Sequence, residues 1–308
     1  MVDAQSTPVR TRDEAFIADP AGVAAAFDAL ADAHDTLVNS QPPRLADLNT
    51  WHAIQRCLPG DRTTPVLDVG GGNAVWALKV AQLNYSVVLV DISAQMLRRA
   101  AANIASSGFG SRVRLLRADA HNLDCLPADT FSPVLAVGDV LNYSYDPRRA
   151  LDQLRRVCRP DGLILVTVIG RGGLARRLLQ DGDEMGLNRL LHDGSWEERS
   201  REELARHVDT SGSDLPYPLR MHAFTPGELC ELCRTGGLRL RRVFARGIIS
   251  SLLSEEEVDA LVARMGLDCV LAWELQLAEE RTLLGSALGL GIVAQKSRWP
   301  TRSSARTC

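Results

Sequence analysis

Between Pro65 and Ile169, short apolar runs alternate with amphipathic stretches, and this alternation constrains the fold more than any other feature of the chain. Pro65–Val69, Ser86–Val90, Val113–Arg117, Phe131–Val137 and Leu163–Ile169 are of strand length and too short for buried helices. Asn73–Leu83, Ser93–Ser107 and a segment from Asp146-Pro147 to about Arg159 read as the intervening helices. The last of these opens with an N-cap aspartate and a first-turn proline. A short loop-helix is expected through Leu126. Strands and helices alternating at this spacing predict an α/β, doubly wound parallel sheet.

The flanks read differently. From Asp13 to Leu58 the pattern is helical, broken by Gln41-Pro42-Pro43, with a second helix over Leu45–Cys57. After Ile169 the chain becomes polar helical pieces as far as Arg220. Thr225-Pro226-Gly227-Glu228 is a capping box whose helix stops at Gly236-Gly237. Leu238–Phe244 and Leu288–Gln295 read as further strands, separated by a helical stretch from Ser254 to about Thr282. One domain over 13–296 is expected: a lid (13–60), a core (61–169), a cap insertion (170–224) and a C-terminal part of the sheet (225–296). Residues 1–12 and 297–308 are expected to be disordered.

Composition removes several classes of function. The net charge of −3 over 308 residues gives no general attraction to nucleic acid or anionic membrane. The arginines of LRLRRVFARG alternate with apolar residues, as on a strand with one solvated face. No run approaches the ~18 apolar residues of a membrane span, and the first thirty residues lack the pattern of a secretory leader. Seven scattered cysteines suit a reduced, cytoplasmic protein. Cys230 and Cys233 form a C-x-x-C inside a helix without a second ligand pair, so no metal is expected.

The first strand runs into VLDVGGGNAVWAL, a strand, a glycine turn and a helix start. A dinucleotide fingerprint needs a third small residue where Val75 stands. A P-loop needs Lys and Ser/Thr where Val75-Trp76 stand. Asp68, two residues before the first glycine, would repel a phosphate but suits a cationic group. Asp91 ends the second strand, where a carboxylate can accept both hydroxyls of a ribose. Asp119 ends the third, where it can accept from an adenine amine. Three acids at the carboxyl ends of successive strands line the crevice where open α/β sheets bind ligands. S-adenosylmethionine is cationic and carries no phosphate.

On these residues the chain resembles the class I S-adenosylmethionine-dependent methyltransferases. VLDVGGGNA is similar to their first motif, LVDISAQML to their ribose-binding segment and RADAHNL to their adenine-binding segment. FSPVLAVGDVLNYSYDPRRALDQLRRVCRPDGLILVTV is similar to their fourth- and fifth-strand block. The resemblance covers Pro65–Val168 tightly and Phe224–Lys296 loosely. It implies seven strands with the last antiparallel, and S-adenosyl-L-methionine as cofactor, released as S-adenosyl-L-homocysteine. It places Asp68, Gly70, Gly71, Gly72 and Ala74 around the methionyl part, Asp91 on the ribose, and Ile92 and Met96 beside the adenosine. Asp119 and Ala120 would read the adenine edge, with Gly138 on the sulfonium side; Asp139 is a candidate cofactor- or acceptor-binding carboxylate, or a simple helix cap. Ala74 and Asp161 stand where relatives more often have glycine.

Nearly half the chain forms caps over the strand ends, which suits a small organic acceptor and specialised metabolism. The alternatives are an RNA or protein acceptor, or a non-methylating protein of the same fold. N/D-P-P-Y, common among amino-group methylators, is replaced by GDVLNY. Candidate bases are Tyr143, His222 and His34. Each has a plain alternative, as an aromatic wall, a surface histidine and a solvent-facing lid residue respectively. No nucleic-acid or membrane partner is expected, and a homodimer is compatible with the sequence.

Overall fold

The computed structural model describes residues 20–40, 44–198 and 219–297, the side chains of 33–40 and 198 excepted. The expected disorder of 1–12 and of the tail beyond 297 lies outside the described residues. Seven strands form one sheet in the order β3-β2-β1-β4-β5-β9-β8. They are β1 (Val66–Val69), β2 (Val87–Asp91), β3 (Val113–Arg117), β4 (Val134–Ala136), β5 (Leu163–Ile169), β8 (Leu238–Arg246) and β9 (Gly289–Lys296). The first five are parallel, and β9 runs antiparallel to both β5 and β8. The doubly wound sheet with an antiparallel last strand is therefore present.

Period-two alternation sends the side chains of the central strands to two cores. Val66, Leu89, Leu135 and Leu165 meet α2 (Leu45–Cys57), α3 (Val75–Gln82) and α4 (Ala94–Ser107) through Ile54, Ala77, Val80 and Ala100. Leu67, Val134, Ile164 and Ile292 meet α5 (Pro147–Val157) and α8 (Pro226–Thr235) through Leu151, Leu154 and Leu229. Helix caps follow the sequence. Ser93 accepts from the Met96 amide at 3.0 Å, Asp146 from Arg149 at 2.9 Å, and Thr225 and Glu228 complete a capping box. In β9, a Cβ on Gly291 would lie 2.1 Å from the Phe244 ring, so glycine there lets the ring lie on the strand.

Several expectations are corrected. Phe131–Val137 narrows to three residues of strand, because Pro133 offers no amide and Phe131 pairs instead with Val157 and Arg159. No helix forms around Leu126. Beyond single turns such as Leu126 N–H to the Leu123 carbonyl (2.8 Å), this backbone bonds to α5: Arg156 donates to the carbonyls of Leu123 (2.5 Å) and Leu126 (3.1 Å), and Gln153 accepts from the Leu123 amide. The stretch after Ser254 is two helices, α10 (Glu255–Met265) and α11 (Leu267–Leu277), parted at Gly266 with φ +84°. A short α9 (Ile248–Leu252) precedes them.

The caps sit over the carboxyl ends of the strands. One comprises α6 (Arg171–Asp181), α7 (Glu184–Asp193) and a hairpin of β6 (Ser195–Glu198) with β7 (Leu219–His222), which the polarity of this stretch did not announce. Another is α1 (Pro20–Ser40), whose Ala26, Phe27 and Leu30 pack on Leu219 and Tyr143. Among the described residues no helix is long and apolar enough to cross a membrane.

Candidate functional site

The turn after β1 is built around Asp68. Its side chain lies wholly buried beneath Gly71, where a Cβ would sit 2.9 Å from Oδ2. Neither carboxylate oxygen has a hydrogen-bond partner among the described residues. Burial pushes the Asp68 carboxyl up to about 7, the neighbouring Asp91 adds to this, and the Ala77 amide in α3, near the carboxyl but outside ordinary hydrogen-bond geometry, opposes it. Gly70 (φ +68°) and Gly72 (φ +52°) adopt left-handed backbone. A Cβ at Gly70 would strike Val140 at 2.4 Å, whereas Gly72 faces open space. The third left-handed residue is Ala74, at φ +76° and fully buried, a backbone conformation that glycine adopts more readily than alanine.

Asp91 ends β2 and binds the turn to the next helix. Its Oδ2 accepts from the Gly72 amide at 2.9 Å and its Oδ1 from the Ser93 amide at 2.8 Å. Burial raises the carboxyl, against the amides of Ser93, Gly72 and Ile92. Ser93 also reaches outward: its hydroxyl donates to Asp28 on α1 at 2.5 Å, and the same Asp28 oxygen accepts from the Gln95 amide at 2.9 Å. One turn further along α1, Asp32 pairs with Arg99. The lid is thereby fastened to the N-terminus of α4, beside the acid expected to hold a ribose.

Asp119 follows β3. Its Oδ1 accepts from the His121 amide at 2.9 Å and from the His121 ring at Nδ1, 2.6 Å away. Burial pushes this carboxyl up, but the two His121 contacts outweigh it and hold the group below its ordinary value. Ala120 is partly exposed between them.

After β4, Gly138 (φ +92°) is exposed with nothing within 4 Å of a Cβ position, and Asp139 (φ +67°) is a second left-handed residue. Asp139 faces the guanidinium of Arg246, 3.3 Å away at the end of β8. Burial raises its carboxyl and Arg246 opposes the rise. Asn142 is fully buried: its Oδ1 accepts from the Ile169 amide at 3.0 Å, and its Nδ2 donates to the His222 carbonyl at 2.7 Å. This one side chain fastens the β4 loop to both β5 and the cap hairpin.

The residues expected at the methionyl part (Asp68, Gly70, Gly71, Gly72), those expected at the adenosine (Asp91, Ile92, Asp119, Ala120), and Gly138 and Asp139 all gather at the carboxyl ends of β1–β4. Met96 lies in the first turn of α4, only 2% exposed on its inner face. The candidate bases are not brought together. Tyr143 packs its ring edge-on against Phe27, with centroids 5.3 Å apart. Leu219 and Met221 of β7 face Tyr143's clusters, so His222 points to the other side of that strand. There its Nε2 lies 3.7 Å from Glu228 Oε2, and Glu228 also binds Arg171 at 2.7 Å. His34 falls on α1, and its side chain lies outside the described residues.

These residues fit S-adenosylmethionine on their own chemistry. An orphaned acid beneath a glycine turn repels phosphate and attracts a cation, Asp91 offers ribose acceptors, and Asp119 keeps one oxygen without a hydrogen bond among the described residues. Sequence reasoning passed over Asp28, His121, Asn142 and Arg246. Their partners are 23 to 107 positions away, and no spacing rule reports that.

Residues 66–162 match the family model described as a methyltransferase domain. The tRNA 5-carboxymethoxyuridine methyltransferase of Escherichia coli K12 is 30% identical over 126 residues, which cover 40% of this chain and 48% of that protein. The chain therefore spans about half the length of this curated relative. Among solved structures, the CcbJ methyltransferase of Streptomyces caelestis superposes with TM-score 0.58 at 18% identity, covering 91% of this chain and 99% of that one. The [4+2]-cyclase SpnF superposes with TM-score 0.58 at 18% identity, covering 89% and 95%. At such identities these two likenesses establish the fold. Residues 66–162 therefore match a methyltransferase domain, set in the fold that these solved structures share.

Proposed function

We propose that this chain, whose residues 66–162 form a methyltransferase domain, moves a methyl group from S-adenosylmethionine to a small organic acceptor held beneath its caps. The observation that carries the reading is the row of acids, Asp68, Asp91 and Asp119, at the ends of β1, β2 and β3. Bound there, the cofactor supplies an electrophilic methyl on a sulfonium. Asp68 offers its field to the cationic methionyl part, Asp91 accepts from the ribose and Asp119 from the adenine amine. Such a displacement needs mainly alignment and exclusion of water. Tyr143 serves as a wall of the acceptor space, supported by Phe27, while His222 and Glu228 brace the cap from behind.

A small acceptor is favoured by α1, the α6–β7 cap and the α9–α11 cap, all of which stand over the strand ends. The net charge of −3 gives no attraction to a polyanion. Calorimetry with S-adenosylmethionine tests the first half: binding that Asp91→Ala weakens a hundredfold or so is expected, and unchanged affinity refutes it. Screening small aromatic and amino compounds beside tRNA for S-adenosylhomocysteine release tests the second half. Turnover on tRNA alone overturns the small acceptor, and release from no acceptor points to a non-methylating protein.

A further inference from the structure

The contacts of His121 extend beyond Asp119. With Nδ1 on Asp119 Oδ1 at 2.6 Å, the ring presents Nε2 to the Ser144 hydroxyl at 2.5 Å. With the carboxylate ionised, Nδ1 carries the proton and Nε2 accepts from Ser144. Tyr145 stacks on the same ring, with centroids 3.8 Å apart and planes 25° from parallel. Arg149 at the start of α5 donates to the His121 carbonyl at 3.0 Å. The ring is therefore held on both nitrogens, on one face and through its backbone. Acid, imidazole and hydroxyl stand in the order of a hydrolase triad, but Ser144 is only 2% exposed and can attack nothing. The chain of contacts must act inward, on the acid.

Its effect on Asp119 is asymmetric. Both His121 donors use Oδ1, while Oδ2 accepts no hydrogen bond among the described residues and the side chain stays 26% exposed. A carboxylate pinned by one oxygen has its other oxygen fixed in direction, ready for a single donor from outside. We infer that His121, buttressed by Ser144 and Tyr145, is a positioning residue that aims Asp119 Oδ2 at the amino group of adenine and so sets the preference for an adenine over a 6-oxopurine base. This rests on the proposed S-adenosylmethionine site. A 6-oxopurine would turn a carbonyl oxygen toward the carboxylate, losing a charge-assisted hydrogen bond and adding repulsion. The same side-chain contacts join the adenine end to the loop that carries Gly138 and Tyr143.

The test measures Kd for S-adenosylhomocysteine and for its analogue with a carbonyl in place of the adenine amine, on wild type, His121→Leu, His121→Asn and Ser144→Ala. Wild type should prefer the adenine compound by about 30-fold, the worth of a hydrogen bond to a charged group. His121→Leu should lower the preference to about threefold or less, mainly by losing adenine affinity. His121→Asn, which keeps an amide donor for Asp119, should restore most of it. Ser144→Ala, the mildest change, should lower it by about threefold and serves if the leucine variant fails to fold. Equal loss of affinity for both compounds in His121→Leu, with the preference intact, would show a merely structural residue and overturn the inference. A wild type that binds both equally overturns it while leaving the proposed function standing. A wild type that binds neither refutes both.

Discussion

Asp68 makes a prediction in which stability and cofactor affinity move in opposite directions. Its carboxyl is raised from 3.8 to about 7, first by burial and then by Asp91. For an acid raised in the folded state, the fold binds the proton more tightly than the unfolded chain between those values. Stability contributed by this group is then whole below pH 4 and lost as pH rises to about 7, with no further loss above. At about 1.4 kcal/mol per pH unit the loss is about 4 kcal/mol. Asp68→Asn removes the titration, and in a chain of this length 1 kcal/mol moves Tm by about 2 °C. The variant should melt about 3 °C above wild type at pH 5 and roughly 8 °C above it at pH 8, in the absence of cofactor. Binding should show the reverse. On the proposed S-adenosylmethionine site, ionised Asp68 would attract the cationic methionyl part by about 3–4 kcal/mol at 4–6 Å and an effective dielectric near 20. Wild-type affinity for S-adenosylmethionine should rise by up to about tenfold per pH unit from pH 5.5 to 7, then fall as the ligand's own amine loses its proton near 8. The variant should bind about a hundredfold more weakly at pH 7.5, without the acid-side slope. Differential scanning calorimetry and titration calorimetry across pH 5–8.5 read both. A Tm difference independent of pH, or a wild-type affinity flat between pH 5.5 and 7, refutes the reasoning.

Other consequences are simpler. Tyr143→Phe should keep kcat within about threefold, since the ring and not the hydroxyl packs on Phe27, whereas Tyr143→Ala should raise the acceptor KM by about tenfold or more. A hundredfold fall in kcat for the phenylalanine variant would make Tyr143 the base. Asp28→Ala removes the acceptor that holds Ser93 and Gln95, costing about 1 kcal/mol and exposing α1 to limited proteolysis before the core; simultaneous cleavage of lid and core would contradict this. Glu197, held near 2 against the effect of its burial by Arg220 and Arg189, ties β6 to β7 and α7. Its contribution is present above about pH 4.5 and lost toward pH 2. Glu197→Gln should therefore cost about 2 kcal/mol at pH 7, under about 1 kcal/mol at pH 3 and little at pH 2, read from denaturation midpoints.

The cofactor side of this protein is written along the chain. Strands of two-residue period, capped helices and an acid at the end of each of three strands are local facts. Each of β1, β2 and β3 brings its own acid to the sheet's carboxyl edge, so Asp68, Asp91 and Asp119 converge once the sheet is parallel. The acceptor side is different. Tyr143 and His222 read alike as candidates, yet the one-residue alternation of β7 turns His222 away from the Tyr143 clusters and onto Glu228. Nothing near His121 in sequence announces Ser144, 23 positions on, and nothing in α1 announces that Asp28 will cap a helix 65 residues later. The loop at Leu126 lost its expected helix to side chains of α5, thirty positions away. Backbone propensity and side-chain period act within a few residues, so the sequence alone determined the sheet and the acids along its edge. Which side chains close over that edge depends on packing between distant segments, and only the tertiary structure decided it.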